Sequence, residues 1–227
     1  MSRLPFLFDA VVFDLDGTLV DTAPDLIAAT NHVLVGLGLP GVSEHQLRPL
    51  IGHGARFMVE HALGADAAKL TEEERKRLLE RFLDYYGQNL AVGSRPFEGT
   101  VAALDRFKVA GAKLAVCTNK NEKMSRALLD ALGMSRLFLA VAGRDTFAVF
   151  KPHPEHLLGT IRLAGGDASR AIMIGDSRVD IATAKAAGVP VVAVTFGYTD
   201  TPVRELSPDR IIDHYDELEP AILALLG

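Results

Sequence analysis

Two carboxylates two residues apart, Asp14 and Asp16, follow the apolar run 10–13 and precede Gly17 and Thr18. The run is rich in β-branched residues and predicts a buried strand, so both acids lie at the C-terminal end of that strand. Ligands bind at this edge of an open parallel sheet, because the connecting loops part there. Alone, such a pair is also typical of a helix cap beside a turn. Two like charges this close are unfavourable unless a cation or a proton lies between them, so the pair points to metal or proton chemistry.

Three more predicted strands end in polar residues that complement this pair. In chain order these are Thr118 and Asn119 after the strand 113–117, Lys151 in the loop after the strand 139–142, and Asp176 and Asp180 after the strand 171–174. The tips of parallel strands share one edge of the sheet, so we expect these side chains to converge. Carboxylates hold a hard cation, while an ammonium, a hydroxyl and backbone amides hold phosphate oxygens. The sequence therefore predicts a magnesium and phosphate site.

Helix and strand patterns alternate from residue 96 onwards. Strands with few polar positions, separated by helices, predict a parallel sheet that is covered on both faces. Residues 22–92 have no strand signals, and their first helix is expected to begin with Thr22 as its capping residue. We predict an α/β fold in which residues 1–21 and 93–227 form a doubly wound parallel sheet and residues 22–92 form an inserted all-helical domain.

Four segments together carry a family resemblance. They are Asp14-Leu15-Asp16-Gly17-Thr18, Thr118-Asn119, Lys151-Pro152 and Gly175-Asp176-Ser177-Arg178-Val179-Asp180. In this order and in these strand contexts they resemble the four motifs of the haloacid dehalogenase superfamily, over nearly the whole chain. The helical block after the first motif resembles the C1 cap of that family, on a Rossmann-like core. Within the superfamily, the fourth motif, Phe196-Gly197-Tyr198 and Lys151-Pro152-His153-Pro154-Glu155 are most similar to the phosphoglycolate phosphatase branch.

The resemblance implies a role for each matched acid. Asp14 would be the nucleophile that attacks phosphorus and forms an aspartyl-phosphate. Asp16 would protonate the leaving oxygen and later take a proton from the attacking water. Mg²⁺ would be held by Asp14, the backbone carbonyl of Asp16 and Asp176, with Asp180 orienting these ligands from behind.

The resemblance also implies a phosphate-binding set. Thr118, Asn119 and Lys151 would hold the phosphoryl oxygens and compensate their charge during transfer. The implied reaction is Mg²⁺-dependent phosphomonoester hydrolysis, with 2-phosphoglycolate converted to glycolate and phosphate. The expected partner is thus a small phosphorylated metabolite.

Some other polar residues and the cysteine have a simpler interpretation than a role in binding or catalysis. In the loop 51–56, His53 or Arg56 could contact a substrate carboxylate, although an arginine at the start of a helix is also typical of a solvated surface. His153 and His156 are expected to be surface histidines at a helix start. Cys117 ends an apolar strand without a matched histidine, and we expect it to pack in the core.

Several alternative functions share parts of this pattern. Another small-molecule phosphatase, acting on pyrophosphate, a sugar phosphate or a nucleotide, would use the same chemistry. A phosphomutase of the β-phosphoglucomutase type also has the acid pair and the cap, but its arginine and lysine signature is absent where the loop contains Gly52-His53-Gly54. A dehalogenase lacks the second acid, present here as Asp16. The intact acids argue against a phosphate-binding relative without activity.

Composition narrows the partners further. The chain of 227 residues has a net charge of −5 with scattered basic residues, which argues against a nucleic-acid partner. Apolar stretches are shorter than the roughly 18 residues that cross a bilayer, so no membrane partner is expected. Residues 1–9 contain Asp9 and no cleavage site follows them, so we expect no signal peptide. The single cysteine excludes an internal disulfide and fits a cytoplasmic location. The sequence carries no signal for an oligomeric state.

Overall fold

A computed structural model describes residues 8–225. The prediction that residues 1–9 are not a signal peptide falls mostly on residues 1–7, which lie outside the described residues. Strands and helices occur in the order β1 (Ala10–Phe13), β2 (Val20–Asp21), α1 (Ala23–Val35), α2 (Glu44–Leu47), α3 (Ala55–Leu63), α4 (Glu72–Gln88), β3 (Arg95–Pro96), α5 (Thr100–Val109), β4 (Lys113–Cys117), α6 (Glu122–Ala131), β5 (Ala140–Ala142), α7 (Pro154–Leu163), β6 (Ala171–Gly175), α8 (Arg178–Ala187), β7 (Val191–Val194), β8 (Arg210–Ile212) and α9 (Leu218–Leu223).

Six of these strands form one parallel sheet in the order β5-β4-β1-β6-β7-β8. The central strand β1 is buried on both faces because its side chains alternate between two apolar cores. Val11 and Phe13 belong to the core beneath α5, α6 and α9, whereas Ala10 and Val12 belong to the core beneath α7 and α8. Helices therefore cover both faces, and the predicted doubly wound α/β fold is confirmed.

The helices α1 to α4 lie between β2 and β3, which pair in antiparallel fashion where the chain leaves the sheet region and returns to it. The buried carboxylate of Asp25 ties the two crossings together. It accepts hydrogen bonds from the amides of Gly93 and Ser94, each at 2.8 Å, and from Ser94 Oγ at 2.6 Å. The division into a core and a cap at residues 22–92 stays a prediction, for which this joint supplies a physical basis.

The inserted helices bury a core of their own. Leu26, Met58, Phe82 and Tyr86 lie at its centre, and Tyr198 from the loop after β7 packs against it. This contact joins the inserted helices to the sheet region.

The expected cap of α1 forms differently. Thr22 occupies the capping position, but its buried hydroxyl has no hydrogen-bond partner among the described residues. Instead, the amide of Ala23 donates to Tyr198 Oη at 2.9 Å and to Asp21 Oδ1 at 3.3 Å. The predicted start of the helix at Thr22 is therefore confirmed, but the Thr22 side chain forms no capping hydrogen bond, and a tyrosine distant in sequence supplies an acceptor instead.

None of the helices formed by residues 8–225 combines the length and the apolar character needed to span a bilayer.

Candidate active site

The three central strands bring the predicted acids and hydroxyl to one edge of the sheet. Asp14 follows β1, Thr118 follows β4, and Asp176 follows β6. Backbone hydrogen bonds fix the first two positions, since Asp14 N donates to Ile174 O at 2.9 Å and Thr118 N donates to Ala142 O at 3.0 Å. The predicted convergence of residues from distant segments is therefore present.

Gly17 allows the turn after the acid pair to pass close to Asp176. Its φ of +84° lies in the left-handed region. A Cβ at this position would meet Asp176 Oδ2 at 2.5 Å and the ring of Tyr198 at 2.9 Å. Glycine is thus required at position 17 by its conformation and by the space the neighbouring acid occupies.

Three buried acids crowd together at this edge. One carboxylate oxygen each of Asp14, Asp176 and Asp180 lies within 4.8 Å of the other two. Burial raises the pKa of Asp14 to about 6, against the opposing charge of Lys151. Burial, followed by the charges of Asp180 and Asp14, raises the pKa of Asp176 well above its usual value. The raised pKa values show that the positive charge of nearby protein groups does not fully balance the negative charge of these acids when they are ionised.

A divalent cation fits this acid group. Asp14 Oδ1 lies 2.9 Å from Lys151 Nζ as an ion pair, yet this buried oxygen receives no hydrogen bond of good geometry from the described residues. Asp176 accepts hydrogen bonds from Thr18 Oγ1 at 2.8 Å and from the amide of Tyr198 at 2.6 Å. These bonds orient its carboxylate and leave it lone pairs. Hard carboxylate oxygens of this kind are the ligands that Mg²⁺ prefers.

Asp180 is fully engaged by the protein. Its Oδ1 accepts from Lys151 Nζ at 2.6 Å, and its Oδ2 accepts from the amides of Asp176 and Ser177 and from Ser177 Oγ. The same Ser177 and Asp180 form a capping box at the start of α8. These contacts support its expected place behind the metal ligands.

Lys151 is the cation that contacts Asp14 and Asp180 at the sheet edge. Its side chain is 2% exposed and contacts both Asp14 and Asp180. Burial alone would lower the pKa of Lys151, but the charges of Asp14 and Asp180 outweigh it and hold the pKa above its usual value. The ammonium is therefore charged and lies between the carboxylates of Asp14 and Asp180.

The loop of Lys151 is held by a histidine that we expected at the surface. His156 is fully buried, so that expectation is wrong. Its Nδ1 accepts from the amide of Lys151 at 3.1 Å, and its Nε2 contacts Gly143 O at 3.0 Å, as a donor in the neutral ring. Burial, together with the charge of Lys151, lowers the pKa of His156 to about 4. The ring is buried because two backbone groups of the lysine loop need a partner. Cys117 is fully buried in the core, as predicted.

The other residues that are predicted to bind phosphate also reach the edge. Thr118 is 2% exposed, and its Oγ1 accepts from the amide of Lys120 at 3.2 Å. Asn119 donates from Nδ2 to the carbonyl of Lys151 at 2.9 Å, so it links the second and third motifs. Both residues line the cavity described next.

A cavity of about 330 Å³ lies between the strand tips and the helical insertion. Its floor contains Asp14, Asp16, Asp176 and Lys151. Apolar side chains of the inserted helices form much of the opposite wall, namely Leu26, Ile51, Met58, Leu79, Phe82 and Leu83. Such a chamber, polar at one end and apolar at the other, is typical of a site for a small ligand.

The two predicted cap residues differ in their placement. Arg56 lines the cavity, but its side chain is 51% exposed and forms ion pairs with Glu60 and Glu72. His53 does not line the cavity; its ring stacks on Phe57 and its Nε2 lies 3.3 Å from Asp200 Oδ2. Their roles toward substrate stay predictions.

Sequence reasoning missed a buried pair beside Asp16. Lys120 Nζ lies 3.0 and 3.1 Å from the two carboxylate oxygens of Asp16 and donates to Tyr86 Oη at 2.7 Å. The position of Lys120, directly after Thr118-Asn119 at a strand tip, is a signal that could have found it. Tyr86 has no such signal, because it reaches the site only through the packing of α4.

Comparison with known proteins places this architecture among characterised families. The sequence model of a family described as haloacid dehalogenase-like hydrolase matches residues 11–194. A phosphoglycolate phosphatase of Mesorhizobium japonicum is 56% identical over 208 residues, which cover 92% of each chain. One of Caulobacter vibrioides is 45% identical over 100% of this chain and 96% of its own. The crystal structure of a predicted phosphoglycolate phosphatase from Haemophilus somnus superimposes with a TM-score of 0.86 at 33% identity, covering both chains completely.

Proposed function

The chain belongs to the haloacid dehalogenase-like hydrolases, and from that membership we propose that it hydrolyses phosphate monoesters with Mg²⁺ and that 2-phosphoglycolate is its substrate. The resemblance of the four motifs to this superfamily is thereby confirmed. The relatives that are 56% and 45% identical are phosphoglycolate phosphatases, which supports the substrate. The observation that carries the chemistry is Asp14, a buried carboxylate beside Lys151 at the floor of a cavity.

Asp14 attacks phosphorus with a carboxylate oxygen, and the ester oxygen leaves on the opposite side. The product is an aspartyl-phosphate and glycolate. A carboxylate suits this task because the acyl phosphate that it forms is readily hydrolysed in the second half of the reaction. Asp14 is ionised above about pH 6, given the raised pKa that burial imposes on it.

Asp16 moves the protons. It gives a proton to the leaving oxygen and later takes one from the water that attacks the aspartyl-phosphate. Its side chain is about one fifth exposed at the cavity, whereas Asp14 is buried deeper, so the two acids of the pair have different surroundings. This difference supports two different roles.

Lys151, Thr118 and Asn119 hold the transferring group. The ammonium of Lys151 and the hydroxyl of Thr118 face phosphoryl oxygens, and Asn119 fixes the carbonyl of Lys151. Asp180 and His156 lock the lysine in place from the side chain and from the backbone respectively. Preorganised donors of this kind stabilise charge in the transition state without reorganisation.

Asp14, the backbone carbonyl of Asp16 and Asp176 would hold Mg²⁺, which supplies neutralisation of phosphoryl charge and orientation of the reacting group. Asp180 stays behind them. The expected cytoplasmic location and the restriction to a small phosphorylated partner remain part of this proposal.

Phosphate release from a panel of phosphate monoesters and from pyrophosphate tests the proposal. We expect 2-phosphoglycolate to be hydrolysed with a higher kcat/KM than pyrophosphate, sugar phosphates or nucleotides, and EDTA to abolish release. Asp14→Asn should abolish it as well. Release that survives Asp14→Asn would overturn the nucleophile, and a sugar phosphate or nucleotide ranked first would overturn the substrate.

A further inference from the structure

We propose that Lys120 binds the carboxylate of the substrate and so selects phosphoesters of a short acid. This inference rests on the proposed function for its substrate, and it assigns the selectivity to a residue of the sheet edge that follows the second motif. Three observations support it: the position of Lys120 in the cavity, its contacts with Asp16 and Tyr86, and the contacts that hold the other positively charged residues elsewhere.

Four positively charged residues line the described part of the cavity: Arg56, Lys120, Arg144 and Lys151. Lys151 is held between Asp14 and Asp180 and serves the phosphoryl group. The guanidinium of Arg56 is half exposed and bound by two glutamates. Arg144 lies over the ring of Phe150, 4.6 Å from its centroid, and is exposed. Lys120 is the buried cation among the remaining three, with 7% of its side chain exposed.

Lys120 lies beside the acid to which the proposed reaction assigns proton transfer to the leaving oxygen. Its Nζ is 3.0 Å from Oδ1 of Asp16, the group that faces the leaving oxygen. In 2-phosphoglycolate the carboxylate carbon is separated from that oxygen by a single methylene group. An ammonium in contact with Asp16 is therefore within reach of the substrate carboxylate, whereas the half-exposed guanidinium of Arg56 is held by Glu60 and Glu72.

Tyr86 fixes the ammonium from the helical side. Its Oη accepts a hydrogen bond from Lys120 Nζ at 2.7 Å, and its ring centroid lies 4.4 Å from the same nitrogen. Burial raises the pKa of Tyr86 to about 12, so the hydroxyl stays neutral. Asp16 and Tyr86 therefore contact the ammonium from the sheet edge and from the inserted helices respectively. A charged, immobilised ammonium that spans core and insertion is suited to a second anionic group.

The charge balance of the cavity supports this role. Asp14, Asp16 and Asp176 already make the site acidic, and a substrate carboxylate adds another negative charge. A buried charge without a partner is costly, so an acid substrate needs a cation on its organic side. A phosphoester of the same size whose organic part carries no charge has no such need. Lys120 therefore discriminates between the two.

The experiment compares 2-phosphoglycolate with ethyl phosphate, a two-carbon monoester that lacks the carboxylate. The measured quantity is the ratio of their kcat/KM values, in which any loss common to both substrates cancels. Lys120→Met should lower this ratio by about 10- to 100-fold, the range for a hydrogen bond to a charged group, mainly through a higher KM for 2-phosphoglycolate. Lys120→Arg should keep more of the ratio than Lys120→Met, because it retains the charge.

Matched variants and a binding measurement complete the test. Lys123→Met, an exposed lysine of the same segment outside the cavity, should keep the ratio of the parent protein. Phosphonoacetate should inhibit the parent protein more strongly than methylphosphonate, and Lys120→Met should erase that difference.

Three outcomes are decisive. A ratio unchanged in Lys120→Met, with kcat reduced equally for both substrates, would make Lys120 a positioning residue for Asp16 and overturn the proposal. A ratio lost in Arg56→Ala and kept in Lys120→Met would place the carboxylate at the cavity rim and also overturn it. A ratio near one in the parent protein would refute the proposed substrate itself, which separates that failure from a failure of Lys120.

Discussion

The affinity for Mg²⁺ should depend on pH in a way that the buried acids determine. Burial raises the pKa of Asp14 in the metal-free protein to about 6. At pH 5 a carboxyl with this pKa is roughly 90% protonated, whereas at pH 7 it is roughly 10% protonated. A cation that binds the ionised group must displace that proton at pH 5.

The magnitude follows from Asp14 alone. The apparent Kd for Mg²⁺ should be about tenfold higher at pH 5 than at pH 7, which corresponds to about 1.4 kcal/mol of binding free energy. The raised pKa of Asp176 adds to this difference in the same direction. The stability of the protein depends on the same pKa. Because the pKa of Asp14 is higher in the folded than in the unfolded chain, the free energy of unfolding of the metal-free protein falls as the pH rises from about 4 to about 6. Bound Mg²⁺ should offset this loss.

Calorimetric titration of the substrate-free protein with Mg²⁺ measures the Kd at each pH. Thermal unfolding gives a second readout, since Mg²⁺ should raise the Tm more at pH 7 than at pH 5. The Asp14→Asn protein serves as the control and should bind Mg²⁺ more weakly and with a smaller dependence on pH. A Kd that is equal at pH 5 and pH 7 in the parent protein would refute the assignment of these acids as ligands.

Three further variants test the structure around the site. Gly17→Ala should lower the Tm more than Gly38→Ala, because both positions have positive φ, but only position 17 also meets the carboxylate of Asp176; equal Tm losses would show that the close approach is unimportant. His156→Leu should lower the unfolding free energy by about 2 kcal/mol at pH 7, since two backbone groups lose their partner. Because the pKa of His156 is lowered in the folded protein, the stabilisation by its neutral ring is lost as the pH falls from 6.5 toward 4. The difference in unfolding free energy between this variant and the parent protein should therefore narrow over that range in denaturant titrations. A constant difference would contradict the buried neutral ring. Asp25→Ala should cost about 2 to 4 kcal/mol in the same assay, because three donors, two of them buried, lose their carboxylate acceptor. A loss below about 0.5 kcal/mol would show that the joint does not depend on Asp25.

The sheet could be predicted from local patterns. The strands 113–117, 191–194 and 210–212 occur at the predicted residues, because each is a short apolar run bounded by turn or capping residues. The convergence of the four motifs also follows, since the ends of parallel strands share an edge. The residues that determine where each of these strands begins and ends lie within the strand or directly beside it.

Contacts between distant segments could not be predicted in this way. The hydroxyl of Tyr198 replaces the expected cap of Thr22, and nothing near Thr22 in the sequence indicates this. His156 resembles any histidine at a helix start until the lysine loop folds back on it. The link between Lys120 and Tyr86 joins the sheet edge to α4 and depends on how the inserted helices pack. Each of these features is set by tertiary packing and has no local pattern.

Asp14 is the residue on which the proposed reaction depends most directly, because one of its carboxylate oxygens receives the phosphoryl group. Rapid acid quenching of the protein during turnover of 2-phosphoglycolate, followed by peptide mass spectrometry, tests this. We predict a peptide that contains Asp14 with the added mass of one phosphoryl group, absent from Asp14→Asn and absent without Mg²⁺. Phosphate release at full rate with no phosphorylated Asp14, or with the phosphoryl group on another residue, would contradict the account.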